Sequence, residues 1–142
     1  MYQGGFMISR LNKVGGRIFE KILSRQNVDA FNGAQGRILY VLWQQDHIPI
    51  RDISEKTGLA MTSLTSMLDR MEAAELLHRE NAPGDRRKTL IVLSEKAKTL
   101  QPQYDAVSQQ MGVILYHGFT EQEIAETEQF LSRMMKNLEE WE

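Results

Sequence analysis

The stretch NAPGDRRKTLIVLSEKA, residues 81–97, decides the reading of this chain. A Pro-Gly-Asp bend is followed by three consecutive cations, Arg86, Arg87 and Lys88, and then by the apolar run Leu90 to Leu93. Upstream, LLHRE (76–80) has strand character, as does TLIVL (89–93). Residues 81–88 between them carry turn chemistry, with Pro and Gly setting the bend. The segment therefore reads as a β-hairpin with positive charge at its tip.

Working back from the hairpin, residues 62–75 form a helix with two unlike faces. At 100° per residue, Leu64, Met67, Leu68 and Met71 fall on one side. Thr62, Ser66, Asp69, Arg70 and Ala73 fall opposite, flanked by Ser63 and Thr65. One face is core; the other offers short hydroxyls and one arginine. Before it, RDISEKTG (51–58) is a short helix that starts after Pro49 and stops at Gly58. HIPI (47–50) is short and strand-like. Short helix, turn, longer helix, then a hairpin with a basic tip is a winged helix-turn-helix.

The flanks are helical. Leu11, Val14, Ile18 and Ile22 recur at helical spacing, with Phe19 and Leu23 beside them, and predict a helix over roughly 5–26. Asn32 with Gln35 is a capping-box start for a helix through Ile38, Leu39, Leu42 and Trp43 to about residue 45. Ser94 caps a further helix to about Tyr116, kinked by Pro102. Thr120 with Glu123 is a second capping box, opening a last helix with Ile124, Leu131, Met134 and Leu138 on one face. The expected fold class is mainly α with a small β-wing.

Composition narrows the function. A chain of 142 residues with 42% hydrophobic and 25% charged residues fits one domain. No apolar run reaches transmembrane length and no signal peptide is visible, so a cytoplasmic location and no membrane partner are expected. The absence of cysteine excludes disulfides, thiolate metal sites and thiol redox sensing. The net charge of −2 hides an asymmetry, since residues 1–47 carry six Lys/Arg against three Asp/Glu and residues 94–142 carry four against nine. His47, His78 and His117 lie in three separate elements and build no metal site. No Ser/His/Asp arrangement or Gly-rich phosphate loop occurs, so neither an enzyme nor a cofactor is expected.

An α-helix fits the major groove of B-DNA if its outer face is small enough to approach base edges. Thr62, Ser63, Thr65 and Ser66 meet that requirement, and Arg70 reaches a phosphate or a guanine edge. A narrow minor groove attracts inserted arginine, which suits Arg86, Arg87 and Lys88. Asp85 beside them is expected to hold an arginine in pose by a charge-assisted hydrogen bond. Arg51, in the short helix, is a further candidate contact. The competing reading is a winged-helix module that binds another protein and not DNA. Such a module has no need of the basic hairpin tip.

The segments DISEKTGLAMTSLTSMLDRMEAAELLHRE (52–80) and GDRRKTLIVLSEKAKTL (84–100) resemble the multiple-antibiotic-resistance regulator (MarR) family. The Asp-x-Arg of that family's wing falls on Asp85 and Arg87, and its Leu-Ser-Glu-Lys-Ala helix start on Leu93–Ala97. The resemblance implies one domain over 1–142. Its winged helix-turn-helix occupies 31–93, flanked by dimerisation helices in 1–30 and 94–142. It also implies a homodimer reading a pseudo-palindromic operator in double-stranded DNA. The recognition helix falls on 62–75 and the minor-groove arginine on Arg87. Two positions depart from the pattern: Pro49 stands where a small polar residue is usual, and Glu75 where a Gly usually ends the recognition helix. A repressor released by a small aromatic or lipophilic effector is the implied mode of action. The cleft between the dimerisation helices and the winged region would be lined by Phe6, Phe19, Phe31, Tyr40, Trp43, Tyr104 and Met111.

Overall fold

A computed structural model describes all 142 residues. In chain order the elements are α1 (Gly4–Arg25), α2 (Gly33–Gln44), β1 (Ile48–Pro49), α3 (Ile50–Thr57) and α4 (Met61–Ala73). They continue with β2 (Leu77–Ala82), β3 (Asp85–Leu93), α5 (Glu95–Lys98), α6 (Gln101–Leu115) and α7 (Glu121–Trp141). The three strands form one antiparallel sheet in the order β1-β3-β2. The mainly helical fold with a small β-wing agrees with the sequence reading.

Local chemistry sets the helix ends. Both capping boxes form: Asn32 Oδ1 accepts from Gln35 N–H at 2.8 Å, and Thr120 Oγ1 accepts from Glu123 N–H at 3.1 Å. In each, the third helical residue returns the bond to the cap backbone. Gly58 ends α3 in the left-handed region at φ +75°.

The helix expected from Ser94 to Tyr116 is divided rather than kinked. Ser94 caps a single short helix, α5, and α6 then begins with Pro102 in its first turn. Proline has no N–H to give and its ring crowds the carbonyl four residues back, so the chain restarts instead of bending.

The core is built around α2. Ile38, Leu39 and Leu42 pack with Ile53 of α3, with Leu64, Leu68 and Met71 of α4, and with Leu76, Leu77 and Ile91 at the sheet. Burying each such side chain contributes about 1.5–3 kcal/mol. From α1 only the C-terminal part joins, through Ile22 and Leu23. Phe6, Met7 and Leu11 remain exposed, and α7 has no buried residue. Leu131, Met134 and Leu138 therefore keep one apolar face of α7 turned to solvent. No helix is long and apolar enough to cross a membrane.

Candidate nucleic-acid interface

Helix α4 presents the face read from its sequence. Leu64, Leu68 and Met71 are buried, while Thr62, Ser63, Thr65, Ser66 and Arg70 are exposed. Thr65 Oγ1 donates to the Met61 carbonyl at 2.9 Å, and Arg70 Nη2 donates to Ser66 Oγ at 3.2 Å. Both bonds are internal to α4, so the guanidinium of Arg70 lies along the helix. Hydroxyl lone pairs on the outer face stay open to an incoming donor. Arg51 is exposed in the first turn of α3. A cation there opposes the helix dipole, so helix stability does not account for it.

The departure at Glu75 changes the residue and keeps the geometry. Leu76 N–H donates to the Met71 carbonyl and Glu75 N–H to the Glu72 carbonyl, both at 2.9 Å. This pair of bonds is a Schellman motif, with Met71 and Leu76 both buried beneath it. Glu75 occupies its left-handed position at φ +63°, where a glycine carries no steric cost.

The wing is tighter than its sequence suggests. The turn is only Pro83-Gly84, with Gly84 at φ +78°, the proline-glycine order of a type II turn. Type II turns splay twisted strands apart, and the ladder slips beside this one. Pairing is regular from Leu77↔Leu93 to Asn81↔Thr89, and the next pair is Ala82↔Asp85. The residues of β3 squeezed out between those rungs are Arg86, Arg87 and Lys88. The cations thus sit on a strand bulge beside the turn, not in a long loop. All three are exposed.

Asp85 engages Arg87, with its hydrogen bond made to the backbone and not to the guanidinium. Its Oδ1 accepts the backbone N–H of Arg87 at 3.0 Å, while Arg87 Nε stands 3.7 Å away. The carboxylate fixes the Arg87 backbone and forms a loose ion pair with the guanidinium, whose side chain is 96% exposed and points outward.

Two sets of structural contacts, centred on Arg79 and on Asp46, went unread in the sequence. Arg79 of β2 forms ion pairs with Asp69, at 2.9 Å, and with Glu72, both on α4. It shares strand parity with buried Leu77, which is the signal that it faces inward. Asp46 Oδ1 accepts N–H groups from His47 and Leu93, each at 2.9 Å, tying the end of α2 to the base of the wing.

Most of the aromatic residues assigned to an effector cleft converge on one ring. Phe19, Phe31, Tyr40 and Trp43 all lie within 6.1 Å of Tyr104, centroid to centroid. Burial, followed by the nearby Tyr40, pushes the Tyr104 phenol above its ordinary pKa. Trp43 Nε1 donates to the Ala97 carbonyl at 3.1 Å. Phe31 is core, at 3% exposure. A groove of about 290 Å³ lies outside the cluster, between α1, α2 and α6. Phe19, Tyr104 and Met111 line it, with Arg37 and Glu20 as its charged groups. Glu20 Oε1 is engaged by Gly33 N–H at 2.5 Å. Phe31 is buried and Trp43 half-buried behind this wall, Tyr40 stacks on Tyr104 with its own outer side exposed, and Phe6 lies in the exposed first turn of α1, so none of these four lines the groove.

Residues 31–89 match the sequence model of the MarR family. Among curated proteins, the chain is 23% identical over 103 residues to the HTH-type transcriptional regulator MgrA of Staphylococcus aureus, covering 72% of this chain and 69% of that one. Its fold superposes on a MarR variant from E. coli complexed with operator DNA, with a TM-score of 0.79, 24% identity, and coverage of 92% and 91% of the two chains. It also superposes on Bordetella bronchiseptica BpsR, whose DNA binding is regulated by 6-hydroxynicotinic acid, with a TM-score of 0.81, 21% identity and the same coverage. The helix pair α3–α4, the Schellman corner at Glu75 and the bulged basic wing together form a winged helix-turn-helix, and residues 31–89, which hold it, are the part of the chain that matches the MarR family.

Proposed function

We propose that the protein is a dimeric repressor that binds a pseudo-palindromic operator and is released by a small aromatic or lipophilic effector. The observation that carries the DNA-binding part is the wing. Three cations are extruded from the ladder, and Asp85 beside them accepts its hydrogen bond from a backbone N–H. In this reading α4 enters the major groove with Thr62, Ser63, Thr65, Ser66 and Arg70, while Arg87 enters the minor groove. Arg51, Arg86 and Lys88 add phosphate contacts, and Asp85 sets the reach of Arg87. As an operator-reading protein it works in the cytoplasm.

Apolar surface left uncovered supports dimerisation. The outward faces of α1 and α7 expose Phe6, Leu11, Leu131, Met134 and Leu138, which a second copy would cover. In this reading 1–30 and 94–142 serve dimer formation and 31–93 reads DNA, within one domain. The effector reading rests on the groove beside Tyr104, whose mixed aromatic, apolar and charged lining suits a small flat ligand.

Selection of bound duplexes from random DNA, followed by footprinting and sedimentation, tests this reading. The expected result is a two-fold symmetric site with half-sites about one helical turn apart and a dimer at micromolar concentration. A monomer in solution, or no enrichment of any sequence, overturns it and leaves the protein-interaction module.

A further inference from the structure

We propose that Arg79 is a positioning residue of the DNA interface, holding the wing at a fixed setting against α4 through Asp69 and Glu72. The proposal rests on the DNA-binding reading above. Arg79 spans from β2 to α4 with one guanidinium nitrogen on each carboxylate, Nη2 on Asp69 and Nη1 on Glu72. Asp69 and Glu72 are three residues apart, so they stand on neighbouring turns of one helix edge. A planar fork held at two points fixes an angle as well as a distance.

The place of Arg79 in the sheet gives that angle leverage. Arg79 pairs with Ile91, which also pairs with Ile48 of β1. One rung further, Glu80, Leu90 and Pro49 form the last row with three strands. Beyond it the wing is a two-stranded ribbon, an arrangement with little rigidity of its own. Arg87 lies about 10 Å out from the rung of Arg79, at roughly 3.3 Å per residue. A tilt of about 10° at the base then moves the tip by nearly 2 Å, against a tolerance of about 0.5 Å for a preorganised contact. Arg79 itself is committed to two carboxylates and does not reach DNA.

The test is a double-mutant cycle between Arg79→Ala and Arg87→Ala, read as affinity for the selected duplex at several salt concentrations. In the otherwise native protein, Arg87→Ala is expected to weaken binding about tenfold. In the Arg79→Ala background the same change is expected to cost less than about twofold, because the wing tip is already misplaced. Asp69→Asn combined with Glu72→Gln removes the clamp while keeping Arg79, and should reduce the Arg87 effect in the same way. This second variant carries the test if Arg79→Ala does not fold. A role in stability alone leaves the Arg87 penalty at its native size in both backgrounds, and that result overturns the proposal.

A DNA-free measurement separates the two readings. The chain contains no cysteine, so spin labels at Ser66→Cys and Lys88→Cys, diluted into excess unlabelled protein, report the distance from α4 to the wing. The distribution should broaden in Arg79→Ala, and an unchanged distribution overturns the proposal. Broadening in Arg79→Ala, with no duplex bound by the unlabelled, otherwise native protein, means that the clamp stands and the DNA reading falls.

Discussion

Gly36 and Tyr104 approach so closely that a methyl group on Gly36 would lie 2.9 Å from Tyr104 Cε2. The same methyl would stand 3.3 Å from Phe31 Cδ2. Phe19, Phe31, Tyr40 and Trp43 pack around Tyr104 and leave its ring only the groove side to yield toward. Gly36→Ala gains about 1 kcal/mol of helix propensity in α2. Overpacking costs about 1–3 kcal/mol, so the variant should be net destabilised by about 1 kcal/mol, read as a lower urea midpoint at unchanged slope.

Glu75→Gly should act in the opposite sense. Glu75 holds φ +63° with its Schellman bonds intact. Glycine removes the left-handed strain, of order 1–3 kcal/mol, at an entropic cost of about 0.4–1 kcal/mol in the unfolded chain. A net gain of about 1 kcal/mol in chemical denaturation is expected.

Arg87→Ala should lower the slope of log affinity against log salt by about 0.9, the release of one counterion. Arg86→Ala and Lys88→Ala should change affinity less, because the Asp85 carboxylate poses only the Arg87 backbone. Unchanged affinity and slope in all three variants would remove the wing from the interface.

Alkaline titration should expose Tyr104. Its pKa is raised, first by burial, so the native state favours the neutral phenol. That stability is present in full below the ordinary tyrosine value of about 10 and is lost as pH rises through the folded-state value. Tyr116 is also raised, by burial and then by its hydrogen bond to Glu128. Comparison of Tyr104→Phe with its parent in a Tyr116→Phe background should therefore show a shallower loss of stability above about pH 10.

Ligand entry should be visible at Trp43. Its ring lies 5.4 Å from Tyr104, and its Nε1 is tied to Ala97. With the exposed Trp141 replaced by Phe, aromatic acids, phenols and lipophilic cations should alter emission and weaken DNA binding together. To turn a population from about 1:99 to 99:1, a ligand must prefer one arrangement by roughly 5.5 kcal/mol. A screen that finds neither response points to a constitutive regulator.

The helices were legible because their signals are local. Asn32 with Gln35 and Thr120 with Glu123 are each three residues apart, and the core face of α4 follows from its period alone. The bulge was hidden because register depends on how a type II turn meets strand twist, not on residue preference. Asp46 with Leu93 and Asp69 with Arg79 pair across elements 47 and 10 positions apart, and no periodicity connects them. Aromatic composition pointed to the neighbourhood of Tyr104 but could not separate the wall of the groove from the packing behind it.

The bulge at 86–88 separates the reach of the wing from the pairing of the sheet. Every rung from Leu77↔Leu93 to Asn81↔Thr89 lies on the core side of the extruded residues. A codon gained or lost among these three positions would lengthen or shorten the projecting segment by about 3.3 Å without sliding any buried side chain to the wrong face. Insertions and deletions, ordinarily ruinous inside a strand, would here leave a folded protein with an altered span. The wing could therefore drift toward a different target in whole-residue steps while selection on the core stays constant.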